Sequence, residues 1–185
     1  MRAQFTQIKN AFTAFDRELQ EHFRFVVRDT AKGIWGPSDL DVVFELFQKI
    51  GLQRATSFLD IGCGDGRVVL AASLFIKATG IEIDRELISK GNELREKLGI
   101  TTAALLCGDF FAHDFSAYDI LFINPDTGFY NGLEDKLLKE MKPDAVLLVY
   151  NNIFLPRFLQ RGKTHWIGQV PVTEFRQLKT EFVVV

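Results

Sequence analysis

The sequence predicts an α/β fold with a mostly parallel β-sheet, helices on both faces of the sheet, an antiparallel hairpin at its C-terminal edge, and additional helices at the N-terminus. Apolar strand-like runs alternate with helical patterns between residues 57 and 150, and such alternation builds parallel sheets. The runs DILFIN (119–124) and AVLLVY (145–150) are almost wholly apolar, as expected for central strands covered on both faces. The last two strand-like runs have no helix between them, which predicts the hairpin.

The first 50 residues are predicted to form a helical extension that packs on the main domain or on a partner chain. Between positions 4 and 29, apolar residues recur every three or four positions, the pattern of an amphipathic helix; they are Phe5, Ile8, Phe12, Phe15, Leu19, Phe23 and Val26. The stretch KGIWGPSD (32–39) interrupts this pattern. Ser38 or Asp39 can cap a second helix over Leu40–Ile50. Self-association through the first helix is a further expectation.

The main domain is predicted to occupy residues 51–185. Its predicted strands are Ser57–Ile61, Ala78–Ile83, Ala103–Cys107, Asp119–Asn124 and Ala145–Tyr150. Its predicted helices are Arg67–Phe75, Arg85–Leu98 and Leu133–Met141. The two strands of the edge hairpin are expected in HWIGQVPV (165–172) and FRQLKTEFVVV (175–185).

Composition excludes several classes of protein. The hydrophobic content of 47% and the net charge of -2 argue against disorder and against a dominant nucleic-acid footprint. The only cysteines, Cys63 and Cys107, form neither a metal-binding motif nor a disulfide framework, so no metal site is expected and a reducing compartment is the default. No apolar run reaches about 18 residues, and the N-terminus does not have the pattern of a signal peptide. A cytoplasmic protein without membrane contact is predicted.

The stretch FLDIGCGDGRVVLAA (58–72) joins a predicted strand to a predicted helix through three glycines. Such a turn brings backbone N–H groups and a helix N-terminus close to a ligand. The third glycine of a dinucleotide fingerprint is replaced by Arg67, and the lysine of a phosphate-binding Walker loop is absent. Two carboxylates, Asp60 and Asp65, would repel a pyrophosphate. The pattern therefore favours a ligand that carries an ammonium or sulfonium group.

Polar side chains follow the ends of the first four predicted strands. Glu82 lies twenty residues after Gly62, where an acid commonly binds ribose hydroxyls in doubly wound folds. Asp60, Asp109 and Asn124 occupy corresponding positions on the other strands. Because ligands bind at the carboxyl ends of parallel strands, these four side chains are expected to converge on one site.

The motifs FLDIGCGDGRVVLAA, GIEID and CGDFF resemble the S-adenosylmethionine-binding motifs of seven-strand, or class I, methyltransferases, over about residues 56–150. The resemblance implies a Rossmann-like sheet and S-adenosyl-L-methionine as cofactor. It implies that the methionine moiety lies on the glycine turn with Asp60 or Asp65 facing its ammonium, that Glu82 binds the ribose, and that Asp109 and Phe110 hold the adenine. The cofactor site implied in this way comprises Asp60, Gly62, Cys63, Gly64, Asp65, Gly66, Glu82, Ile83, Asp109 and Phe110.

A narrower likeness is to small archaeal and mitochondrial protein-lysine methyltransferases. It rests on WGPSDLDVVFEL, DIGCGDGRVVLAA, GDFFAHDFSAYDILFI and LEDKLLKEMKPDAVLLVYNNIF. The phenylalanine-rich N-terminal helix and the stretch INPDTGFY (123–130) depart from it, and both fall where substrate would enter. The predicted function is therefore methyl transfer from S-adenosylmethionine, with protein lysine as the suspected acceptor.

Three alternatives stay open at the level of sequence. Asn124-Pro125-Asp126 partly matches the motif of amino-directed nucleic-acid methyltransferases, in which an asparagine and a proline carbonyl accept hydrogen bonds from the target amine. A small-molecule methyltransferase is the second alternative, and a non-catalytic cofactor-binding module is the third. The predicted catalytic residues are Asn124, Asp126 and Tyr130.

Overall fold

A computed structural model of the chain describes residues 1–23, 27–30, 33–128 and 131–178. The helices are α1 (Arg2–Phe23), α2 (Leu40–Ile50), α3 (Arg67–Ala72), α4 (Arg85–Lys97) and α5 (Leu133–Glu140). The strands are β1 (Arg28–Thr30), β2 (Gly33–Trp35), β3 (Ser57–Ile61), β4 (Lys77–Glu82), β5 (Ala103–Cys107), β6 (Ile120–Ile123), β7 (Val146–Tyr150), β8 (Gln160–Ile167) and β9 (Val170–Arg176). Short 3₁₀ turns cover Leu52–Arg54 and Phe110–Ala112.

Strands β3 to β9 form one seven-stranded sheet in the order β5-β4-β3-β6-β7-β9-β8. The strands from β5 to β7 in this order are mutually parallel, and β9 runs antiparallel to both β7 and β8. The order reverses direction between β3 and β6, which is the switch point where doubly wound sheets bind ligands. The predicted fold class, a mostly parallel Rossmann-like sheet with a C-terminal antiparallel hairpin, is confirmed.

The hairpin lies at the predicted edge but not over the predicted residues. Gly168 and Gln169 form its turn, with Ile167 opposite Val170, so HWIGQVPV contains the turn and is not one strand. Gly168 has a φ of 57°, a left-handed conformation that glycine adopts at little cost. The second strand ends at Arg176, and residues 179–185 of the predicted strand lie outside the described residues.

The N-terminal helix is also shorter than predicted. Its described part runs to Phe23, and the predicted helical residues 28 and 29 belong to β1, which pairs antiparallel with β2. Val27 precedes β1 and Thr30 ends it, and both are β-branched residues that favour extended backbone. Residues 24–26 lie outside the described residues. The first 50 residues thus contain two short strands besides the helices, and the division of the chain at residue 50 stays a prediction.

The sheet separates two apolar layers. Alternate residues of β3 and β7 face opposite layers, as the two-residue period of a strand requires: Phe58 and Leu148 belong to the layer of α2 and α3, and Leu59 and Leu147 to the layer of α5. Helix α1 packs on the first layer through the buried side chains Phe5, Ile8 and Phe12. The ring of Phe5 stacks on that of Phe44 in α2, with centroids 4.0 Å apart. In the described part of the chain, no helix has both the length and the apolar character that crossing a bilayer requires.

Candidate active site

The glycine turn lies between β3 and α3, at the switch point of the sheet. Its three glycines, Gly62, Gly64 and Gly66, have φ values of 72°, 55° and 79°, a region that other residues rarely adopt. The turn is fixed to β4 because the N–H groups of Gly62 and Cys63 both donate to the Ile81 carbonyl, at 3.0 Å each.

The three glycines serve different purposes. A Cβ atom at Gly64 would overlap Nε1 of Trp35, and one at Gly66 would lie 2.6 Å from the side chain of Leu105. These two positions are therefore bare because protein side chains pack on them. A Cβ at Gly62 would meet no atom within 4 Å, so this position alone opens towards free space.

Glu82, the last residue of β4, braces the turn. Its Oε2 accepts a hydrogen bond from Gly64 N–H at 3.0 Å. Its Oε1 accepts from the N–H groups of Ile83 and Asp84, at 2.7 and 2.9 Å. Asp84 itself caps α4 by accepting from Glu86 N–H and Leu87 N–H, so the helix does not depend on Glu82 as its cap. The carboxylate keeps a lone pair on Oε2 for a ligand hydroxyl.

Asp60 presents a buried carboxyl group without a hydrogen-bonding partner among the described residues. Its side chain is only 2% exposed and lines the cavity at the glycine turn. Burial, together with the negative charges of Glu82 and Asp65, holds the pKa of Asp60 well above its usual value. Because an unpaired buried carboxylate is costly, the position suits a ligand that brings a positive charge to it.

Asp65 is already paired. Arg67, the first residue of α3, donates from Nε to both Asp65 oxygens at 3.1 Å and from its terminal nitrogen at 2.7 Å. The same guanidinium binds Asp16 of α1 at 2.6 and 3.1 Å and lies 5.0 Å from the ring centroid of Phe12. Burial lowers the pKa of Arg67 and the two carboxylates raise it, with a net increase, so its charge is permanent. Arg67 thereby ties the N-terminal helix to the turn.

Strand β2 covers the cavity from the other side. Trp35 is buried, lies on Gly64 and forms a wall of the cavity. The N–H of Ile34 donates to Asp126 Oδ2 at 2.6 Å, which joins β2 to the loop after β6. The volume of the cavity is about 110 Å³. Trp35 is therefore both a buried apolar side chain and a wall of the cavity.

Asn124 and Asp126 lie in this same cavity, on the loop after β6. Asn124 Nδ2 donates to Ser38 Oγ at 2.9 Å. Its Oδ1 accepts from Asn151 Nδ2 at 3.2 Å, and the Pro125 carbonyl accepts from the same nitrogen at 3.4 Å. Both ends of the Asn124 amide are therefore held, and its oxygen keeps a second lone pair.

The structure brings most of the predicted site residues to one cavity. Those that line it are Asp60, Gly62, Cys63, Asp65, Glu82, Ile83, Phe110, Asn124 and Asp126. Gly64 and Gly66 lie behind it against protein side chains. Asp109 caps the turn Phe110–Ala112 by accepting from Phe111 N–H at 2.9 Å, and Tyr130 lies outside the described residues.

Cys63 is buried, and burial first, then the surrounding carboxylates, raises the pKa of its thiol. It therefore stays protonated and does not act as a nucleophile.

Sequence reasoning did not assign a role in this site to Arg67 or Asn151. Arg67 was visible as the residue in place of a third glycine, and Asn151 as the polar residue that ends a buried strand. Ser38 was considered as a helix cap, but Asp39 caps α2 through Asp41 N–H and Val42 N–H. Ser38 instead contacts Asn124.

Comparison with known proteins agrees with this geometry. A protein-lysine N-methyltransferase of Saccharolobus islandicus is 32% identical over 111 residues, which are 58% of this chain and 69% of that protein. An RNA methyltransferase from Salinibacter ruber in complex with S-adenosyl-L-homocysteine has the same fold, with a TM-score of 0.68 and 21% identity over 78% of this chain and 95% of that one. The mitomycin 7-O-methyltransferase MmcR also shares the fold, with a TM-score of 0.64 and 18% identity over 75% of this chain and 53% of that one.

The model of the ANTKMT methyltransferase domain family matches residues 60–154, just over half of the chain. The match runs from the unpaired carboxyl of Asp60 to the loop beyond Asn151, so it contains the glycine turn, Glu82 and the Asn124 amide. The predictions of an enzyme, of methyl transfer and of S-adenosylmethionine as its cofactor are confirmed. The chain belongs to the ANTKMT methyltransferase family and is an S-adenosylmethionine-dependent methyltransferase.

Proposed function

We propose that this enzyme methylates the side-chain amine of lysine in a protein acceptor. The observation that carries the proposal is the 32% identity to a protein-lysine N-methyltransferase, over 69% of that protein's length. The geometry supports it, since Asn124 and Asp126, whose side-chain oxygens can accept hydrogen bonds from an amine, line the same cavity as the buried carboxyl of Asp60.

We assign the cofactor-binding roles from the groups that stay available. The Asp60 carboxyl faces the ammonium of the methionine moiety, because Asp65 is occupied by Arg67. Gly62 and Cys63 provide the bare backbone beside it, and the second lone pair of Glu82 Oε2 takes a ribose hydroxyl. Ile83 and Phe110, both in the cavity wall, supply apolar contacts for the adenine. When bound, S-adenosylmethionine supplies a methyl group on a positively charged sulfur.

The acceptor amine must lose a proton before it can attack. The pKa of a free lysine is about 10.4, so holding the amine neutral at pH 7 costs about 4.6 kcal/mol. The exposed Asp126 carboxylate attracts the ammonium, and bulk solvent takes the proton. Asn124 Oδ1 and the Pro125 carbonyl then accept N–H bonds from the neutral amine and direct its lone pair inward. Alignment of this kind contributes about 7–11 kcal/mol to catalysis. Tyr130 stays a prediction.

The proposal is tested by incubating the purified chain with tritiated S-adenosylmethionine and a whole-cell lysate. We expect label in protein bands and methyl-lysine in their acid hydrolysate. A matched lysate whose lysine amines have been acetylated, which converts them to non-nucleophilic amides, should accept no label. The Asn124→Ala variant serves as the control for activity at this site. Label that survives lysine blocking, or that occurs only in small molecules, contradicts lysine as the acceptor.

A nucleic-acid amine is the second candidate, because Asn124 Oδ1 and the Pro125 carbonyl match part of the amino-directed motif. Asp126 and Thr127 stand where that motif has a second proline and an aromatic ring. A negative charge at Asp126 repels a phosphate backbone, which favours the lysine proposal. Label that nuclease treatment removes and protease treatment leaves would establish the nucleic-acid function instead.

A further inference from the structure

Asn151 has an unusual backbone conformation at the end of β7. Its φ is 64°, and among the described residues it is the only one other than glycine with a positive φ. Asparagine is one of the few residues that tolerate this region. Strained backbone that persists in a folded protein often marks a functional position. Its N–H is bound to the Pro171 carbonyl at 2.8 Å, which anchors the residue to β9.

The side-chain amide of Asn151 has its orientation fixed by two backbone groups. Its Oδ1 accepts from Ile153 N–H at 2.8 Å, and an N–H can only donate. Its Nδ2 donates to the Pro125 carbonyl at 3.4 Å, and a carbonyl can only accept. The amide therefore cannot be turned over without breaking both bonds.

This orientation determines that of Asn124. Asn151 Nδ2 also reaches Asn124 Oδ1 at 3.2 Å, so the Asn124 oxygen must face it and the Asn124 nitrogen must face Ser38 Oγ. An Asn124 amide turned the other way would place its NH₂ group against that of Asn151, two donors without an acceptor. The one nitrogen of Asn151 thus contacts both oxygens to which we assign the acceptor amine.

We propose that Asn151 is the positioning residue of the acceptor site. It holds Asn124 Oδ1 and the Pro125 carbonyl at one spacing and fixes which end of the Asn124 amide carries the acceptor. This inference rests on the proposed function, because it requires that Asn124 receives the amine. Asn151 acts through these two groups and does not itself touch the cofactor.

The test uses the full chain and compares three single variants and one double variant. Asn151→Gly retains the left-handed backbone, since glycine adopts it freely, and removes only the amide. Asn152→Gly is the matched control, because Asn152 is the adjacent exposed asparagine. Asn124→Ala removes one of the two groups on which Asn151 acts, and the double variant Asn124→Ala/Asn151→Gly measures whether Asn124 and Asn151 act as a unit.

Initial rates of tritium transfer are measured over a dilution series of one lysate protein fraction at saturating S-adenosylmethionine. We expect Asn151→Gly to lower the limiting rate at least tenfold, with a much smaller change in half-saturation and with calorimetric affinity for S-adenosylmethionine within twofold of the parent. Asn152→Gly should match the parent. In the Asn124→Ala background, Asn151→Gly should lower the rate by a much smaller factor than it does alone, because residues that act as a unit have non-additive effects.

The outcomes separate this inference from the proposed function. A parent-like limiting rate in Asn151→Gly, with Asn124→Ala strongly impaired, overturns the role of Asn151 and leaves that of Asn124. If the rate reductions of the two single variants multiply in the double variant, or if Asn151→Gly loses as much cofactor affinity as limiting rate, Asn151 has a merely structural role. Either result also overturns the inference. If Asn124→Ala transfers methyl groups as fast as the parent, Asn124 does not contact the amine, and the inference about Asn151 is overturned with that assignment.

Discussion

Replacing Gly62 by alanine separates what the fold requires from what the cofactor requires. Gly62 has a φ of 72°, and a Cβ there meets no protein atom within 4 Å. Gly99, after α4, has a φ of 64° and an equally open surrounding, but it does not line the cavity. Gly62→Ala and Gly99→Ala therefore impose the same backbone strain in two places, and only one of them lies where we expect the ligand.

The expected magnitudes follow from this match. A residue with a Cβ in left-handed backbone costs about 1–2 kcal/mol, and reduced freedom of the unfolded chain returns about 0.4–1 kcal/mol. Each variant should therefore lose at most about 1.5 kcal/mol of unfolding free energy. The methyl group of Gly62→Ala additionally occupies space at the glycine turn, where we expect the methionine moiety of the cofactor. We expect its affinity for S-adenosylmethionine to fall at least tenfold, which is about 1.4 kcal/mol.

Urea denaturation followed by circular dichroism gives the unfolding free energies, and isothermal titration calorimetry gives the dissociation constants. If both variants lose similar unfolding free energy and only Gly62→Ala loses affinity for S-adenosylmethionine, the assignment of the cofactor to the glycine turn is supported. If Gly62→Ala binds S-adenosylmethionine as tightly as Gly99→Ala, the cofactor does not approach this backbone and the assignment is refuted.

Three further predictions concern the charged groups around the turn. Glu82→Gln places an NH₂ group against a backbone N–H, either that of Gly64 or those of Ile83 and Asp84, and so leaves a donor without an acceptor. Calorimetry should therefore show a loss of S-adenosylmethionine affinity of about 1.5–3 kcal/mol, roughly tenfold to a hundredfold. Arg67→Met leaves the Asp65 carboxylate buried without its partner and should lower the unfolding free energy by about 3–5 kcal/mol; urea denaturation should show that adding Asp65→Asn restores much of this loss. Asp60→Asn should stabilise the cofactor-free protein at neutral pH. The pKa of Asp60 in the folded protein lies well above the 3.8 of the free side chain, so the folded state retains a proton that the unfolded chain releases. The unfolding free energy of the wild type therefore falls as pH rises from the unfolded pKa to the folded one. Urea titrations between pH 4 and 7 should show that the stability difference in favour of Asp60→Asn grows with pH, and calorimetry should show a loss of S-adenosylmethionine affinity in this variant. A constant difference between the two proteins over this range would contradict the raised pKa.

Local patterns were sufficient to predict the main elements of the sheet. The predicted bounds of β3 and β5 agree with the structure, because each strand is a short apolar run that a turn ends. The amphipathic pattern that predicted α1 continued past its end, since periodicity alone does not show where a chain stops being helical. The predicted hairpin is displaced for a related reason, because the apolar residues on both sides of Gly168 extend the strand pattern through a glycine that forms the turn.

The cofactor side of the site was also predictable, whereas its partners were not. Strand ends in a parallel sheet meet at one edge, so Asp60 and Glu82 could be expected together from their positions alone. The pairing of Arg67 with Asp16 joins residues 51 positions apart, and no local pattern contains that information. The sequence therefore offered two carboxylates for the ligand ammonium, and only the structure shows that Asp65 is occupied and Asp60 is not.

The N-terminal segment contacts both halves of the site, although the family match begins only at residue 60. Trp35 lies on the glycine turn, Ile34 N–H binds Asp126, and Ser38 fixes the nitrogen of Asn124. The matched region thus provides the groups to which we assign the cofactor and the amine, and the segment outside it forms the wall over them. Because Ile34 and Asp126 are exposed residues of the cavity lining, we expect an acceptor to contact the side chains of β2 as its amine approaches Asn124. We therefore expect selectivity among acceptors to depend on β2 and the chemistry itself to depend on the residues it covers.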